Sequence, residues 1–256
     1  AQANHRVAEG IMRGLLSSGV QAILEVLFPK CCPACHGKLL DDEQVICKDC
    51  LDSIARTEHM LLEQNGIDLL FQEHIQKQRR TVRYERGAAF AYYNRDRGKV
   101  IRQLIERGKY GARANAEIFY ALGRLVAQEN LDSDMWDDVD CLVPVPLHPR
   151  RLRERGFNQA EWICRGMSEV LHIPVDTSHL VRVKNNPHQS RSQFDRREKN
   201  VEDIFAIRYP EEWKKKHILL VDDVITSGST MFSCIKHTTP IRGCRVSVFS
   251  LGWAHK

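Results

Sequence analysis

The 256-residue sequence contains no long apolar run. No stretch reaches the roughly 18 consecutive apolar residues that a membrane-spanning helix requires. The first segment, 1–28, is amphipathic and is interrupted by Arg13 and Glu25, so it lacks the pattern of a signal peptide. With 43% hydrophobic and 28% charged residues, the chain is predicted to be a soluble globular protein with a sizeable core and no membrane span.

Two phosphate-binding patterns are also missing. None of the Gly-Lys pairs, at 37–38, 98–99 and 108–109, fits G-x4-G-K-[S/T], and G-x-G-x-x-G does not occur. These absences exclude a P-loop nucleotide site and leave a dinucleotide-binding fold unsupported. The net charge is +5 and the pI is near 8.7, a mildly basic balance that suits an anionic ligand.

The nine cysteines are unevenly distributed, with five of them between Cys31 and Cys50. The other four stand singly among apolar neighbours: Cys141, Cys164, Cys234 and Cys244. We expect these four to be small core residues, since a free cysteine behaves as a small apolar side chain. A secreted disulfide scaffold would be shorter and more evenly paired, so the pattern favours a reducing cytoplasm.

The N-terminal cysteines form two C-x2-C pairs separated by eleven residues: Cys32 with Cys35, and Cys47 with Cys50. Two such pairs supply the four thiolates that a structural zinc ion prefers, and Gly37 suits the tight turn after the first pair. Three further side chains have less suitable offsets as ligands: Cys31, His36 and His59. The alternative is four thiols without a metal. Because protein ligands fill all four positions, we expect a structural zinc ion rather than a catalytic one.

Apolar strands alternate with helices along the rest of the chain. Strands are predicted at 88–93, 139–147, 218–221 and 246–251, and helices over 101–128, broken near Gly108 and Gly111, over 158–171 and over 229–237. This alternation predicts βαβ units on a parallel sheet, and therefore an α/β fold. Residues 132–138 are expected to be an acidic surface connection, and the basic segment 184–200 a loop. Residues 52–80 are expected to be helical, with an inner face formed by Leu61, Leu62, Leu69, Leu70 and Phe71.

The stretch ILLVDDVITSGST, residues 218–230, has a chemical rather than a packing explanation. Ligands of a parallel sheet bind beyond the carboxyl ends of its strands, where Asp222 and Asp223 are predicted to lie. Two adjacent carboxylates can accept hydrogen bonds from a vicinal diol such as that of ribose. The following turn leads into a helix and offers backbone N–H groups and hydroxyls to a phosphate: Thr226, Ser227, Gly228, Ser229 and Thr230. The stretch therefore predicts a ribose 5-phosphate site, the alternative being acids that merely cap a strand end.

The same stretch is similar to the PRPP-binding motif of type I phosphoribosyltransferases. VPVPLHPRRLRERGFNQA, residues 143–160, resembles the V-P-V-P…R-G-F-N-Q motif of the ComF family, named for DNA-uptake competence. Further matching features are Phe28-Pro29 before the cysteine pairs, Lys109-Tyr110-Gly111, and Gln189, Arg197, Asn200 and Phe205. The resemblance covers roughly residues 20 to 252. It departs from the family pattern in the 184–200 loop, which carries Phe194 and additional arginines where the family more often has Leu-Ser.

The resemblance implies a parallel-sheet type I phosphoribosyltransferase fold with a small N-terminal four-cysteine zinc module. The implied division is a tail or tag remnant at 1–19, the zinc-binding module and helices at 20–80, and the phosphoribosyltransferase domain at 81–256. The implied activity is transfer of ribose 5-phosphate from PRPP to an unknown acceptor, with magnesium bound to PRPP and pyrophosphate released. Residues 81–115 and the zinc module are expected to form the acceptor pocket.

The resemblance also implies roles for individual residues. Catalysis is expected to rest on Asp222, Asp223 and Arg197, and PRPP binding on the same two acids with 226–230. Pyrophosphate contacts are expected from Arg151, Arg155, Gly156 and Lys109. The 184–200 loop is expected to close over PRPP as a lid, with Arg197, or Arg196 beside it, on the pyrophosphate.

A second function class remains open at this point. The chain can be a non-catalytic PRPP- or nucleotide-sensing component of the competence machinery, or a part of it that binds single-stranded DNA. Its partners would then include single-stranded DNA and the competence helicase-like ATPase. Basic loops suit either class, because the phosphates of PRPP and of DNA attract the same side chains.

Overall fold

The computed structural model describes residues 30–40, 43, 45–77, 82–110, 115–183 and 204–254. The chain divides into two compact units, with the division after Asp52. In the smaller unit, a bridge between Cys31 and Lys38 and the short helix α1 (Lys48–Asp52) frame the cysteine pairs. The larger unit contains the sheet. No described helix is long and apolar enough to cross a membrane.

The main sheet is parallel throughout, with strand order β1-β6-β5-β2. The strands are β1 (Tyr84–Tyr92), β2 (Cys141–Pro144), β3 (Leu180–Arg182), β4 (Phe205–Ile207), β5 (His217–Ile225) and β6 (Arg245–Trp253). Strands β3 and β4 form a separate antiparallel pair. The predicted parallel α/β fold is confirmed, and the core of the sheet is the fully buried run Ile218–Val221 of β5.

Helices connect and cover these strands. They are α2 (Gly66–Gln76), α3 (Lys99–Lys109), α4 (Ala116–Glu129), α5 (Pro149–Arg155), α6 (Gln159–Leu171) and α7 (Ser229–Thr238), with 3-10 turns at His59–Leu61, Asp134–Trp136 and Pro210–Trp213. The Asn158 side chain caps α6 by accepting the Ala160 N–H, and its amide donates to the Val145 carbonyl. This double contact fixes the start of α6 just beyond the end of β2.

The predicted break in the helical pattern 101–128 is confirmed. Helix α3 ends at Lys109 and α4 begins at Ala116, while Gly111 lies outside the described residues. A Cβ at Gly108 would lie 2.6 Å from the Phe119 ring, so glycine allows the two helices to pack closely. The four single cysteines also fit the expectation of core residues, since Cys164, Cys234 and Cys244 are buried and Cys141 is half-buried.

The prediction of a buried inner face for 52–80 is wrong for three of the five residues assigned to it. Phe71 is fully buried, but Leu61, Leu62 and Leu69 are exposed. The region is not one continuous helix, because Glu58 adopts a left-handed conformation (φ 60°) and α2 begins only at Gly66. A single helical period therefore does not apply across it.

The acidic segment 132–138 is more than a surface connection. Met135 and Trp136 are buried, and the Trp136 indole donates to the Asn130 carbonyl at 2.6 Å. The indole also makes an edge contact with Phe249 of β6, with ring centroids 6.0 Å apart. Two apolar residues among the acids thus anchor the segment. The predicted loop 184–200, with Gln189, Phe194, Arg196, Arg197 and Asn200, lies outside the described residues.

Candidate functional site

The two aspartates lie inside β5, and the strand does not end at Val221 as the sequence suggested. On one side β2 stops at Pro144, which pairs with Val221. On the other side β6 continues, pairing Asp222 with Ser250 and Ile225 with Trp253. Continued pairing with β6 keeps the strand extended, whereas the end of β2 opens the sheet beside the two carboxylates. The pair therefore lies at the carboxyl edge of the sheet, where ligands of such sheets bind.

Asp223 is held by a lysine from a neighbouring helix. Its side chain is buried, and Lys109 at the C-terminal end of α3 forms a close ion pair with Oδ2 of Asp223. The lysine side chain is itself mostly buried, at 17% exposure. A charge in such a place requires an opposite charge nearby. The pair thus links α3 to the centre of the site.

Asp222 has a different environment from its neighbour. It is half-buried, and its Oδ1 accepts the backbone N–H of Asp223 at 2.8 Å. Burial and the adjacent Asp223 charge raise the pKa of Asp222 to about 7, against the opposing effects of that hydrogen bond and of Lys109. The folded environment therefore favours the protonated form of the Asp222 carboxyl.

The predicted phosphate-binding turn follows at the end of β5. Gly228 has φ 71°, a left-handed conformation that favours glycine, and it caps α7, a ten-residue helix. The hydroxyls of Ser227 and Ser229 lie 2.9 Å apart, and both residues are exposed, as are Thr226 and Thr230. The turn thus presents exposed hydroxyls and the positive end of a helix to solvent beside the two acids.

Three of the four residues expected to contact pyrophosphate line one cleft of about 260 Å³. They are Lys109, Arg151 and Arg155, and Tyr110 and Glu154 complete the lining. The Arg155 guanidinium lies 5.4 Å from the Tyr110 ring centroid. The fourth residue, Gly156, ends α5 with φ 86° and donates its N–H to the Leu152 carbonyl at 2.8 Å. That N–H is therefore used within the helix.

Arg182 of β3 is a further candidate site residue, which the sequence did not single out. It is half-buried, and its Nε is buried without a hydrogen-bond partner. Burial and the positive charge of Arg151 lower the pKa of Arg182, and Asp222 acts in the opposite direction. Arg182 is therefore close enough to both residues to interact with their charges. Its signal in the sequence is one arginine within the otherwise apolar stretch 180–183.

The four paired cysteines form a cluster that can hold a metal ion. The Sγ atoms of Cys32, Cys35, Cys47 and Cys50 all lie within 4.8 Å of one another. The Sγ atoms of Cys35 and Cys47 are 3.6 Å apart, close to the about 3.8 Å edge of a zinc tetrahedron with Zn–S bonds of about 2.3 Å. Burial raises the pKa of Cys32, but backbone N–H groups outweigh this effect and lower it to about 7. The geometry and the donor set fit zinc.

Among solved structures, the chain is similar over part of its length to an adenine phosphoribosyltransferase and to an enzyme of purine biosynthesis. Adenine phosphoribosyltransferase from Leishmania donovani is 14% identical with a TM-score of 0.34, covering 74% of this chain and 81% of that one. The allosteric regulatory enzyme of purine biosynthesis is 18% identical with a TM-score of 0.38, covering 58% of this chain and 29% of that one.

No family model matches the sequence, but curated relatives do. DNA utilization protein YhgH of Escherichia coli CFT073 is 30% identical over 209 residues, covering 79% of this chain and 88% of the relative. The match to YhgH of E. coli K12 is 34% identical over 131 residues, and this chain spans 56% of that relative's length. Competence protein F of Haemophilus influenzae is 34% identical over 93 residues, covering 36% of this chain and 41% of that protein. The chain belongs to the ComF family, which includes DNA utilization protein YhgH and the ComF competence proteins.

Proposed function

We propose that this chain is a phosphoribosyltransferase that binds PRPP and transfers ribose 5-phosphate to an acceptor. One observation carries the proposal. The carboxylates of Asp222 and Asp223 lie at the open carboxyl edge of the sheet, directly before the turn 226–230 and its helix N-terminus. Two carboxylates that can accept hydrogen bonds from a diol, followed along the chain by a phosphate-binding turn, match the two ends of a ribose 5-phosphate.

The cleft lined by Lys109, Arg151 and Arg155, called the basic cleft below, suits the remaining part of PRPP, its diphosphate. Arg151 and Arg155 offer guanidinium groups suited to phosphate oxygens, and Lys109 lines the same cleft. Arg182 contributes a further guanidinium with an unpaired Nε. In this proposal the diphosphate binds among these groups. Lys109 then lies between the Asp223 carboxylate, which it contacts in this structure, and the diphosphate oxygens.

Magnesium is expected with the donor, and the residues present fit it only in part. Asp222 and Asp223 supply carboxylate oxygens, the ligand type that magnesium prefers. Among the described residues, no acidic cluster forms a protein cage for a cation. The ion would therefore be carried largely by the diphosphate and by water, where it would neutralise charge on the leaving group.

Transfer requires one bond to break and one to form at C1 of ribose. The C1–O bond to pyrophosphate breaks with its electron pair leaving on the pyrophosphate, and a lone pair of the acceptor forms the new bond to C1. The acceptor's proton passes to solvent. The arginines stabilise the negative charge that develops on the pyrophosphate, while Asp222 and Asp223 fix the ribose ring. Arg197 and the 184–200 lid remain predictions outside the described residues.

A second candidate function is binding of single-stranded DNA. The Tyr110 side chain is 65% exposed beside the Arg155 guanidinium, which is the combination that stacks on a base and holds its phosphate. The names of the relatives, DNA utilization protein and competence protein F, favour such a partner. In either function we propose that Cys32, Cys35, Cys47 and Cys50 bind one structural zinc ion.

Pyrophosphate release distinguishes the two functions. The experiment incubates the protein with PRPP, magnesium and a panel of amines and nucleobases, and measures pyrophosphate. An enzyme releases pyrophosphate faster with at least one acceptor than with none. Asp222→Asn should abolish this difference, whereas Asp132→Asn, at an exposed acid outside the proposed site, should not. A steep salt dependence of single-stranded DNA binding, with PRPP left intact, supports the second function instead.

A further inference from the structure

A second cavity, of about 510 Å³, adjoins the phosphate-binding turn. It is lined by Gly66, Leu69, Leu70, Glu73, Thr226, Ser227, Trp253 and Ala254. Most of this lining is apolar, and the polar groups are the Glu73 carboxylate and the hydroxyls of the turn. Its lining includes neither of the two acids proposed to bind the ribose diol nor any residue of the basic cleft. We call this cavity the Leu69 pocket.

The Trp253 indole forms one wall of the Leu69 pocket, and its position is fixed by packing. Trp253 ends β6 opposite Ile225, and its rings contact His59 at 4.7 Å and Tyr92 at 6.2 Å between centroids. A Cβ at Gly66 would lie 2.2 Å from the Trp253 ring, so the first residue of α2 has to be glycine for the indole to occupy this place. Packing against these neighbours therefore places the indole at the cavity without a ligand.

Helix α2 forms the opposite wall. Asn65 and Asp68 cap its N-terminus reciprocally, and Phe71 is buried in the core. The His74 imidazole contacts the Ser227 carbonyl oxygen at 2.7 Å, which joins α2 directly to the phosphate-binding turn. On this firmly held helix Leu69 is 57% exposed and faces the cavity. An exposed leucine on the rim of a preformed apolar cavity is available to cover a ligand.

We propose that the Leu69 pocket binds the acceptor, a neutral or cationic ring compound with a nucleophilic ring nitrogen or amino group. This inference rests on the proposed transferase function. The volume suits a small molecule, the indole and leucine walls suit the face of a flat ring, and Thr226 and Ser227 connect the pocket to the donor site. The Glu73 carboxylate at the rim forms an exposed ion pair with Lys77 at 2.6 Å and also offers an acceptor to ring N–H groups, which favours such groups over the carboxylate of an anionic ring.

This pocket differs from the one expected from the resemblance, which involved residues 81–115 and the zinc module. Gly66, Leu69, Leu70 and Glu73 all belong to α2. In the reaction, the ring nitrogen forms its bond to C1 as the C1–O bond to pyrophosphate breaks, and the nitrogen's proton leaves to water. Leu69 and Trp253 hold the ring by contact and take no part in the proton transfer.

The test measures binding of ring probes to the full chain loaded with PRPP and magnesium. Neutral probes are adenine, aniline and benzimidazole, and anionic probes are orotate and anthranilate. The variants are Leu69→Arg, which blocks the pocket, and Leu61→Arg, an equally drastic change at a leucine that is 77% exposed and outside the pocket. Glu73→Gln tests the selectivity for charge, and PRPP affinity is measured for every variant.

We expect at least one neutral probe to bind at millimolar concentration. Leu69→Arg should weaken it at least tenfold and Leu61→Arg less than twofold, with PRPP affinity unchanged in both. Glu73→Gln should narrow the preference for neutral over anionic rings. Binding of no probe to the PRPP-loaded protein, or equal losses in the two leucine variants, would overturn the inference and leave the transferase proposal intact. Failure of the wild-type chain to bind PRPP would instead overturn both.

Discussion

Lys109 and Asp223 form a buried ion pair that joins the end of α3 to the central strand β5. The two side chains are only 17% and 7% exposed. Both residues also belong to the proposed donor site, so the lysine neutralises in the free protein the acid that is assigned to a ribose hydroxyl. In the proposed complex the pair would therefore affect both folding stability and PRPP binding.

Lys109→Met should destabilise the fold by about 3 kcal/mol, because it leaves the buried Asp223 carboxylate without a partner. The double variant Lys109→Met/Asp223→Asn should recover much of the loss. Urea unfolding of the wild type, the two single variants and the double variant measures the coupling free energy between the two residues. Lys216→Met is the control. Its ion pair with Asp140 is more exposed, so the cost should stay below about 1 kcal/mol. Equal costs for the two lysines would contradict the buried pair.

Asp222→Asn should stabilise the protein increasingly as the pH rises from about 4 to 8. The raised pKa of about 7 means that folding favours the protonated carboxyl. Its contribution to stability is present below the unfolded-state pKa near 3.8 and is lost as the pH rises through about 7. The free energy of unfolding, measured at several pH values, should therefore show a gain of about 1–3 kcal/mol for the variant at pH 8.

The exposed acid Asp132 provides the comparison for that series. Asp132→Asn should follow the wild-type profile at every pH. A constant difference between Asp222→Asn and wild type from pH 4 to 8 would show that Asp222 does not titrate near neutrality in the folded protein.

Arg182→Gln should weaken PRPP binding by about ten- to a hundredfold, since it removes a charged hydrogen-bond donor worth about 1.5–3 kcal/mol. Its effect on stability should stay within about 0.5–2 kcal/mol, because the buried Nε has no hydrogen-bond partner to lose and only the cation–π contact with Phe205, at 5.5 Å, is removed. Calorimetric titration and melting temperature measure the two effects. Arg208→Gln, at an exposed arginine after β4, is the matched control. A loss of stability without a loss of PRPP affinity would assign Arg182 a structural role.

Cys47→Ser should lower the zinc content of the purified chain from one ion to well below one. Its thiol lies in the four-sulfur cluster, where loss of one ligand breaks the tetrahedral site. Cys31→Ser changes the cysteine that precedes Cys32 and does not belong to the cluster, so this variant should keep the zinc. PRPP affinity should be similar in both variants. Metal analysis that finds no zinc in the wild-type chain would exclude the site.

The fold was predictable where one periodicity persists. The fully buried run Ile218–Val221 and the helix 229–237 have clear apolar patterns, and α7 ends within one residue of the prediction. The pattern failed at Leu61 and Leu62 because the left-handed Glu58 and the late start of α2 interrupt the helix. It failed at Leu69 because α2 buries Ile67 and Phe71, four residues apart, and leaves Leu69 exposed. The apolar pattern of the sequence does not indicate the left-handed turn at Glu58.

The candidate site was predictable as far as its residues are contiguous in the chain. The acids and the turn 222–230 occur together, and so do Arg151 and Arg155. Arg182 was missed because its relation to Arg151 and Asp222 depends on the β3–β4 pair, whose strands have only three residues each. The pairing of Lys109 with Asp223 likewise depends on how α3 packs against the sheet, which spacing along the sequence does not reveal.

PRPP binding by the two acids is tested most directly by calorimetric titration of PRPP with magnesium into wild-type protein and into the variant Asp222→Asn/Asp223→Asn. Each acid accepts a hydrogen bond from a ribose hydroxyl in the proposed complex, and such a charged bond contributes about 1.5–3 kcal/mol. We expect saturable binding to the wild-type chain and at least a hundredfold loss in the double variant, which should remain folded. Equal PRPP affinity in the two proteins, or no binding to the wild-type chain, would contradict a PRPP site at Asp222 and Asp223.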